Sequence, residues 1–294
     1  MTSQPNAMTV DVEDYFHVAA LAEVISRNDW DKMEYRCVRN TERLLEMFSQ
    51  QGVRATFFVL GWVAERSPAL VRSISEQGHE VACHGLSHEL VYRQTPEVFR
   101  EETARSKQIL EDTIGAPVLG YRAASYSITA ASLWALDILC ELGFRYDSSI
   151  FPIAHDRYGI PGASRHPGVL QAPGGRTIVE FPLSTAKVLG RAVPVAGGGY
   201  FRLLPYWFTK WALGSITRTE NVPFIFYLHP WEIDPEQPRF NASWLSRFRH
   251  YTNLEVCEDR LRRLLRDFSF TTVREVLQPH LEQVPQLRVA PVAV

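Results

Sequence analysis

The chain has little cysteine, no long apolar run and no excess of positive charge, and each shortage removes a class of protein. Its four cysteines, Cys37, Cys83, Cys140 and Cys257, are scattered without a CxxC pair or finger-like spacing, so they read as free, mostly buried thiols in a reducing compartment. No stretch approaches the roughly 20 apolar residues that a membrane-spanning helix needs. The opening Met1-Thr-Ser-Gln-Pro-Asn-Ala-Met8 lacks both a basic start and an apolar centre, so no secretory signal is expected and the chain reads as soluble and cytoplasmic. Lys and Arg total 31 against 33 Asp and Glu, a net charge of −2, and no basic stripe carries interleaved aromatics. Nucleic acid is therefore not an expected partner. The arginines of segment 260–266 surround leucines at helical spacing and read as a solvated helix face.

What is present is an apolar fraction of 46%, ample for a sizeable core. Strand signals at 7–12, 55–60, 79–83, 118–121 and 144–146 alternate with helical patterns through the first two-thirds, and 179–183 and 224–228 read as two more strands. A helix over 41–49 is expected to start at a capping Thr41 and to end at Gly52; others open at Ser67-Pro68 and Thr95-Pro96. Such alternation predicts parallel strands wrapped by helices, as a barrel or an open sheet. Segment 151–176 reads as an irregular excursion rich in Pro, Gly and His. An aromatic helix is expected around 206–208 and a further helix over 247–266, with 271–277 ending the fold. The 294 residues show no repeat and no long linker, so a single domain is expected.

The candidate chemistry gathers at strand ends, where parallel α/β folds build their sites. His84 closes one strand and His88 lies one short turn on, past Gly85; two such imidazoles either hold one divalent metal ion or satisfy backbone groups in a turn. Asp11, Glu13 and Asp14 end the first strand, with Asp11 and Glu13 on one side of it. Clustered carboxylates repel without a cation, and a His-His-carboxylate set leaves room for water and for a second carboxylate as base. The alternative is an exposed acidic turn. Arg122 at another strand end serves either to clamp a carboxylate or in a structural salt bridge. His229, before Pro230, is a candidate proton donor, with Asp147 placed to orient it. Tyr15, Phe16, Tyr126, Tyr200 and Trp231 are candidates either for the floor of a sugar groove or for the core.

In this order the motifs resemble the polysaccharide deacetylase family (NodB homology, carbohydrate esterase family 4) over roughly residues 7 to 235. Segments 6–16, 120–127, 147–152 and 198–205 are more specifically similar to deacetylases associated with exosortase/PEP-CTERM exopolysaccharide loci, and 248–254 with the following helix resembles that subgroup's extension. The resemblance implies an α/β fold, a distorted (β/α) barrel of the NodB type over 7–235, with a short helical extension over 236–280 and a peripheral tail over 281–294. It implies removal of N-acetyl groups from an amino-sugar polymer or its precursor, with a divalent metal, zinc before cobalt, nickel or iron. Asp11 matches the catalytic base, His84 and His88 the metal ligands, Arg122 the holder of the base, His229 the general acid and Asp147 its partner. The first motif departs from the family's adjacent Asp-Asp: here Glu13 is the preferred third ligand and Asp14 the reserve. Ala124 stands where the family has Pro. Two other readings accompany this one: an amide hydrolase of the same scaffold acting on a small cyclic amide, allantoinase-like, and a non-catalytic carbohydrate-binding barrel.

Overall fold

A computed structural model of the chain describes residues 4–155 and 157–284; the greater part of the expected tail, 285–294, lies outside the described residues. The strands are β1 (Asn6–Val12), β2 (Thr56–Val59), β3 (Glu80–Cys83), β4 (Gly120–Tyr121), β5 (Tyr146–Asp147), β6 (Gly168–Gln171), β7 (Thr177–Glu180), β8 (Thr185–Val188), β9 (Arg191–Pro194), β10 (Ile225–Leu228) and β11 (Phe270–Thr271). Between them run α1 (Cys37–Gln51), α2 (Gly61–Arg66), α3 (Pro68–Glu76), α4 (Pro96–Ile114), α5 (Trp134–Glu141), α6 (Gly198–Leu203), α7 (Tyr206–Ser215), α8 (Trp244–Tyr251), α9 (Cys257–Asp267) and α10 (Val273–Leu281). Strand order is β10-β1-β2-β3-β4-β5-β7-β6, with β11 also on β1 and β8-β9 as a separate hairpin. The backbone packs as two compact units.

The first unit takes Met1–Phe57, Glu76–Glu80 and Ser184–Val273. Its centre is β1, every residue of which is buried, as befits a parallel strand covered on both faces. It runs parallel to β10 in the register Val10↔Leu228 and parallel to β11. Helix α1 starts earlier than the sequence suggests: Thr41 is not its cap but a buried interior residue whose hydroxyl donates back to the Cys37 carbonyl at 2.7 Å. Gly52 does end it, at φ 63°. The single helix expected over 247–266 is two, because Asn253 takes φ 58° and its amide donates to the Arg202 carbonyl at 2.8 Å.

The second unit takes Phe58–Ser75, Val81–Leu183 and Arg274–Val294. Here β3, β4, β5 and β7 are parallel neighbours in the register Cys83↔Tyr121↔Asp147↔Glu180. Helix α4 is capped as its sequence announces: the Thr95 hydroxyl accepts from the Val98 N–H at 3.3 Å, Pro96 opens the helix and Gly115 closes it at φ 66°. The 151–176 excursion contains more order than expected, since β6 adds to β7 antiparallel. All four cysteines are buried as free thiols.

Strand β4 lies so close to β5 that a Cβ on Gly120 would stand 2.0 Å from the Tyr146 ring. Gly120→Ala must displace a buried aromatic, an overpacking that costs about 1–3 kcal/mol or more. A melting temperature lowered by roughly 4 °C or more is the expected result of thermal denaturation; an unchanged one would refute the close approach.

Candidate active site

In the second unit the parallel register sets His84 beside Arg122. The Arg122 N–H donates to the Cys83 carbonyl at 2.9 Å, and His84 Nδ1 lies 2.8 Å from the Arg122 carbonyl. A carbonyl only accepts, so Nδ1 carries the proton and Nε2 keeps its lone pair, the state in which imidazole binds a cation. Gly85 at φ 78° turns the chain, and His88, at the unusual φ of 54°, brings its ring centroid to 5.5 Å from that of His84. Non-glycine residues in that region carry strain that surrounding structure must fix, a pattern concentrated at functional sites. Ser125 and Tyr126 repeat it at φ 49° and 55°. Arg122 is fully buried; its Nε and Nη2 donate to the Ser148 carbonyl (3.1 Å) and hydroxyl (3.0 Å), and its guanidinium lies 4.1 Å above the Phe58 ring.

In the first unit the pairing of Val10 with Leu228 puts Asp11 and His229 at adjacent strand ends. His229 Nε2 stands 3.8 Å from Asp11 Oδ2 and 3.5 Å from Glu13 Oε1. Its other nitrogen is 3.6 Å from Glu232 Oε2, and the same oxygen accepts from the His229 N–H at 3.3 Å. Glu232 is itself held by the buried Arg202, whose Nε donates to Oε1 at 3.1 Å while its other nitrogens donate to the carbonyls of Arg249, His250 and Thr252. Removing Arg202 would strand a buried carboxylate, at about 3–5 kcal/mol. Burial pulls the His229 pKa down, but the Glu232 carboxylate beside the ring and the charges of Glu13 and Asp11 outweigh it and raise it to about 9. The imidazole is therefore held as a proton donor.

Across the described residues, Glu13, His84 and His88 each offer a ligand atom lying within 4.8 Å of the others. Two imidazoles and a carboxylate, all but His88 buried, fit a divalent cation of the zinc class and leave coordination open. Asp14 is not part of this group. Its Oδ2 accepts from the N–H groups of Arg36 (2.6 Å) and Cys37 (2.7 Å) and its Oδ1 from Tyr15 (2.9 Å), so the reserve ligand is a backbone anchor. Within the second unit the Asp147 oxygens accept from the Ser149 hydroxyl (2.6 Å) and N–H (3.2 Å), and within the first unit the carboxylate beside His229 Nδ1 is Glu232. Sequence reasoning passed over Glu232 although it stands three residues beyond His229, the spacing of a capping box. Arg202 lies inside the 198–205 stretch, but nothing in that stretch announced a role beside Glu232. Of the aromatics proposed for a groove, Tyr15, Phe16, Tyr126 and Trp231 are buried; Trp231 stacks between His229 (5.1 Å) and His250 (4.4 Å). Only Tyr200 is half-buried.

Residues 29–146 match the family model described as polysaccharide deacetylase, and residues 148–278 match a model described as a domain of unknown function (DUF3473). The first stretch contains His84, His88 and Arg122; Asp11 and Glu13 precede it, and His229 falls in the second. A peptidoglycan deacetylase from Helicobacter pylori is 30% identical over 108 residues, 37% of this chain and 36% of that protein. The chain thus spans about a third of that curated relative. A crystal structure provisionally described as a polysaccharide deacetylase, from Mycobacterium smegmatis, has a similar fold, with a TM-score of 0.64 at 20% identity over 100% of this chain and 97% of that one. An allantoinase structure has a TM-score of 0.60 at 13% identity, over 96% and 92% of the two chains. The mixed α/β architecture is that of the NodB-type deacetylase fold.

Glu180, outside every motif, is buried opposite Asp147 in the β5–β7 register, with Oε1 accepting from the Ile150 N–H at 3.0 Å. Burial raises the pKa of both carboxyls, and the charge of Asp147 raises Glu180 further, so the pair retains a proton. Folded pKa values above the unfolded ones of about 4 mean stability that is full below pH 4 and lost as pH rises through the folded values. Glu180→Gln supplies a permanent N–H donor instead. Thermal melts between pH 4 and 8 are expected to show the variant gaining on the wild type as pH rises; parallel curves would exclude the shared proton.

Proposed function

We propose, on the premise of the polysaccharide deacetylase family that residues 29–146 match, that the chain is a metal-dependent hydrolase removing N-acetyl groups from an amino-sugar polymer or its precursor. The observation that carries this reading is the Glu13–His84–His88 group beside an acid and a base. A divalent metal, for which zinc is the first choice, would supply Lewis acidity toward the acetamide carbonyl and acidify water. The chain's own residues would do the rest. His84 is fixed in the metal-binding tautomer by the Arg122 carbonyl. Asp11 takes the proton of the attacking water, with Arg122 as the holder of that base. His229, oriented by Glu232 and stacked on Trp231, gives its proton to the departing sugar amine. Asp147, held by Ser149, is the further acid proposed to support the proton donor.

An exopolysaccharide of the exosortase-associated class is the proposed substrate context, supported by the motif stretches around Asp11, Arg122, Asp147 and Tyr200. Cytoplasmic residence and one functional domain spanning 1–294 belong to the same proposal. The allantoinase of similar fold shares the scaffold alone. Acetate release from N-acetylglucosamine oligomers, set against ring opening of cyclic amides, separates the two activities.

His84→Ala and His88→Ala are each expected to lose both stoichiometric metal and turnover while the circular dichroism spectrum is kept. Metal and turnover retained in both variants would sink the assignment. His229→Ala is expected to keep the metal but to lose at least ~100-fold in rate, the usual scale for a general acid; a near-normal rate would make His229 structural.

A further inference from the structure

The unit that carries β1 and β10 also presents apolar side chains to solvent that the hydrolase reading leaves unused. Hairpin β8–β9 turns on Leu189 and Gly190, both at positive φ (49° and 78°), and Leu189 is 98% exposed. A two-residue turn of this form is the province of Asn and Gly. A leucine there is strained in its backbone and buries nothing in return, which marks it as a candidate contact residue. Lys187 and Arg191 flank it.

Strand β8 packs against α7. That helix buries Tyr206, Thr209, Ala212 and Leu213, yet its outer face sets Trp207 (71% exposed) one turn from Trp211 (48%), with Lys210 between them. Large aromatics at such exposure on a surface helix are informative in a way that scattered aliphatics are not. Helix α9 packs beside α7 and supplies Arg263 and Arg266; with Tyr206, Trp207, Lys210 and Asp267 they line an open cavity of about 250 Å³. Asp267 is already engaged, by the Tyr206 hydroxyl (2.5 Å) and Lys210 Nζ (2.7 Å), and Arg263 lies 4.4 Å over the Tyr206 ring. The cavity is therefore a cationic recess with an aromatic wall, suited to an anionic head group.

We propose that this face docks on the surface of an anionic lipid bilayer. Leu189, Trp207 and Trp211 enter the boundary between head groups and acyl chains, and Arg263 and Arg266 meet lipid phosphates in the recess. Indole prefers that boundary, and basic side chains around it add attraction to anionic head groups. No helix among the described residues is long and apolar enough to cross a membrane, so the contact is with its surface. A soluble polyanion would account for the arginines but not for a wholly exposed leucine at the hairpin tip. The charge complementarity and the aliphatic tip together favour lipid.

The test is co-sedimentation of the full chain with vesicles of phosphatidylcholine alone or mixed with phosphatidylglycerol. Binding is expected to the mixed vesicles only, falling with added salt, and weaker by about tenfold or more in Leu189→Asp. Quenching of tryptophan fluorescence by brominated acyl chains is expected in the wild type and largely absent in Trp207→Phe/Trp211→Phe, whose fold those exposed positions leave intact. Failure to sediment with mixed vesicles at low salt would overturn the proposal. So would equal quenching in the double variant, or saturable binding to polygalacturonate without vesicle binding.

Discussion

The candidate site depends on one hydrogen bond, from His84 Nδ1 to the Arg122 carbonyl at 2.8 Å. It joins the ends of two adjacent parallel strands and settles which nitrogen of a buried imidazole is basic. Breaking it would leave a buried carbonyl unsatisfied, at about 1–3 kcal/mol, and free the ring to present a proton where a lone pair is needed. The strand register brings the partners together: with Cys83 paired to Tyr121, the next residue on each strand is His84 and Arg122. The backbone thus selects the tautomer of the neutral ring before any cation arrives.

A second constraint is the handling of buried acids, each of which is compensated differently. Asp14 is satisfied by three backbone N–H groups. Asp234 is satisfied by Arg36 and Asn40, at 2.7 and 2.9 Å. Glu232 is divided between Arg202 and His229. Asp147 and Glu180 keep a proton between them. Asp11 and Glu13 are the acids whose oxygens stand within 4 Å of His229 Nε2. Acids tied only to backbone or arginine build the scaffold, Glu232 links an arginine to His229, and Asp11 and Glu13 face the nitrogen on the other side of that ring; residue type alone does not sort them.

Much of this was legible in the sequence. Strand-end placement of Asp11, His84, Arg122 and His229 followed from hydrophobic runs and their terminators, because local patterns decide where strands stop. Glycine and proline punctuation located the ends of α1 and α4. Partner identity was not legible, because it is set by strand order and by residues distant in the chain: Arg202, in the 198–205 stretch, reaches Glu232 and the 249–252 backbone, and no local pattern foretells either contact. Asp14 looked like a ligand because the sequence could not show that Arg36 and Cys37 would present their N–H groups to it. Thr41 looked like a cap because Ser/Thr preference is local, whereas the earlier start of α1 is fixed by burial of Cys37. The β8–β9 hairpin went unseen since Leu189-Gly190 lacks the Asn-Gly signature of such turns.

The central claim is that Glu13, not its neighbour Asp14, completes a metal site with His84 and His88. Zinc content of the purified chain compared with Glu13→Gln, by elemental analysis after dialysis, tests it most directly. One ion per chain in the wild type and a trace in Glu13→Gln is the predicted result; a full equivalent retained in Glu13→Gln, with the fold unchanged, would contradict it.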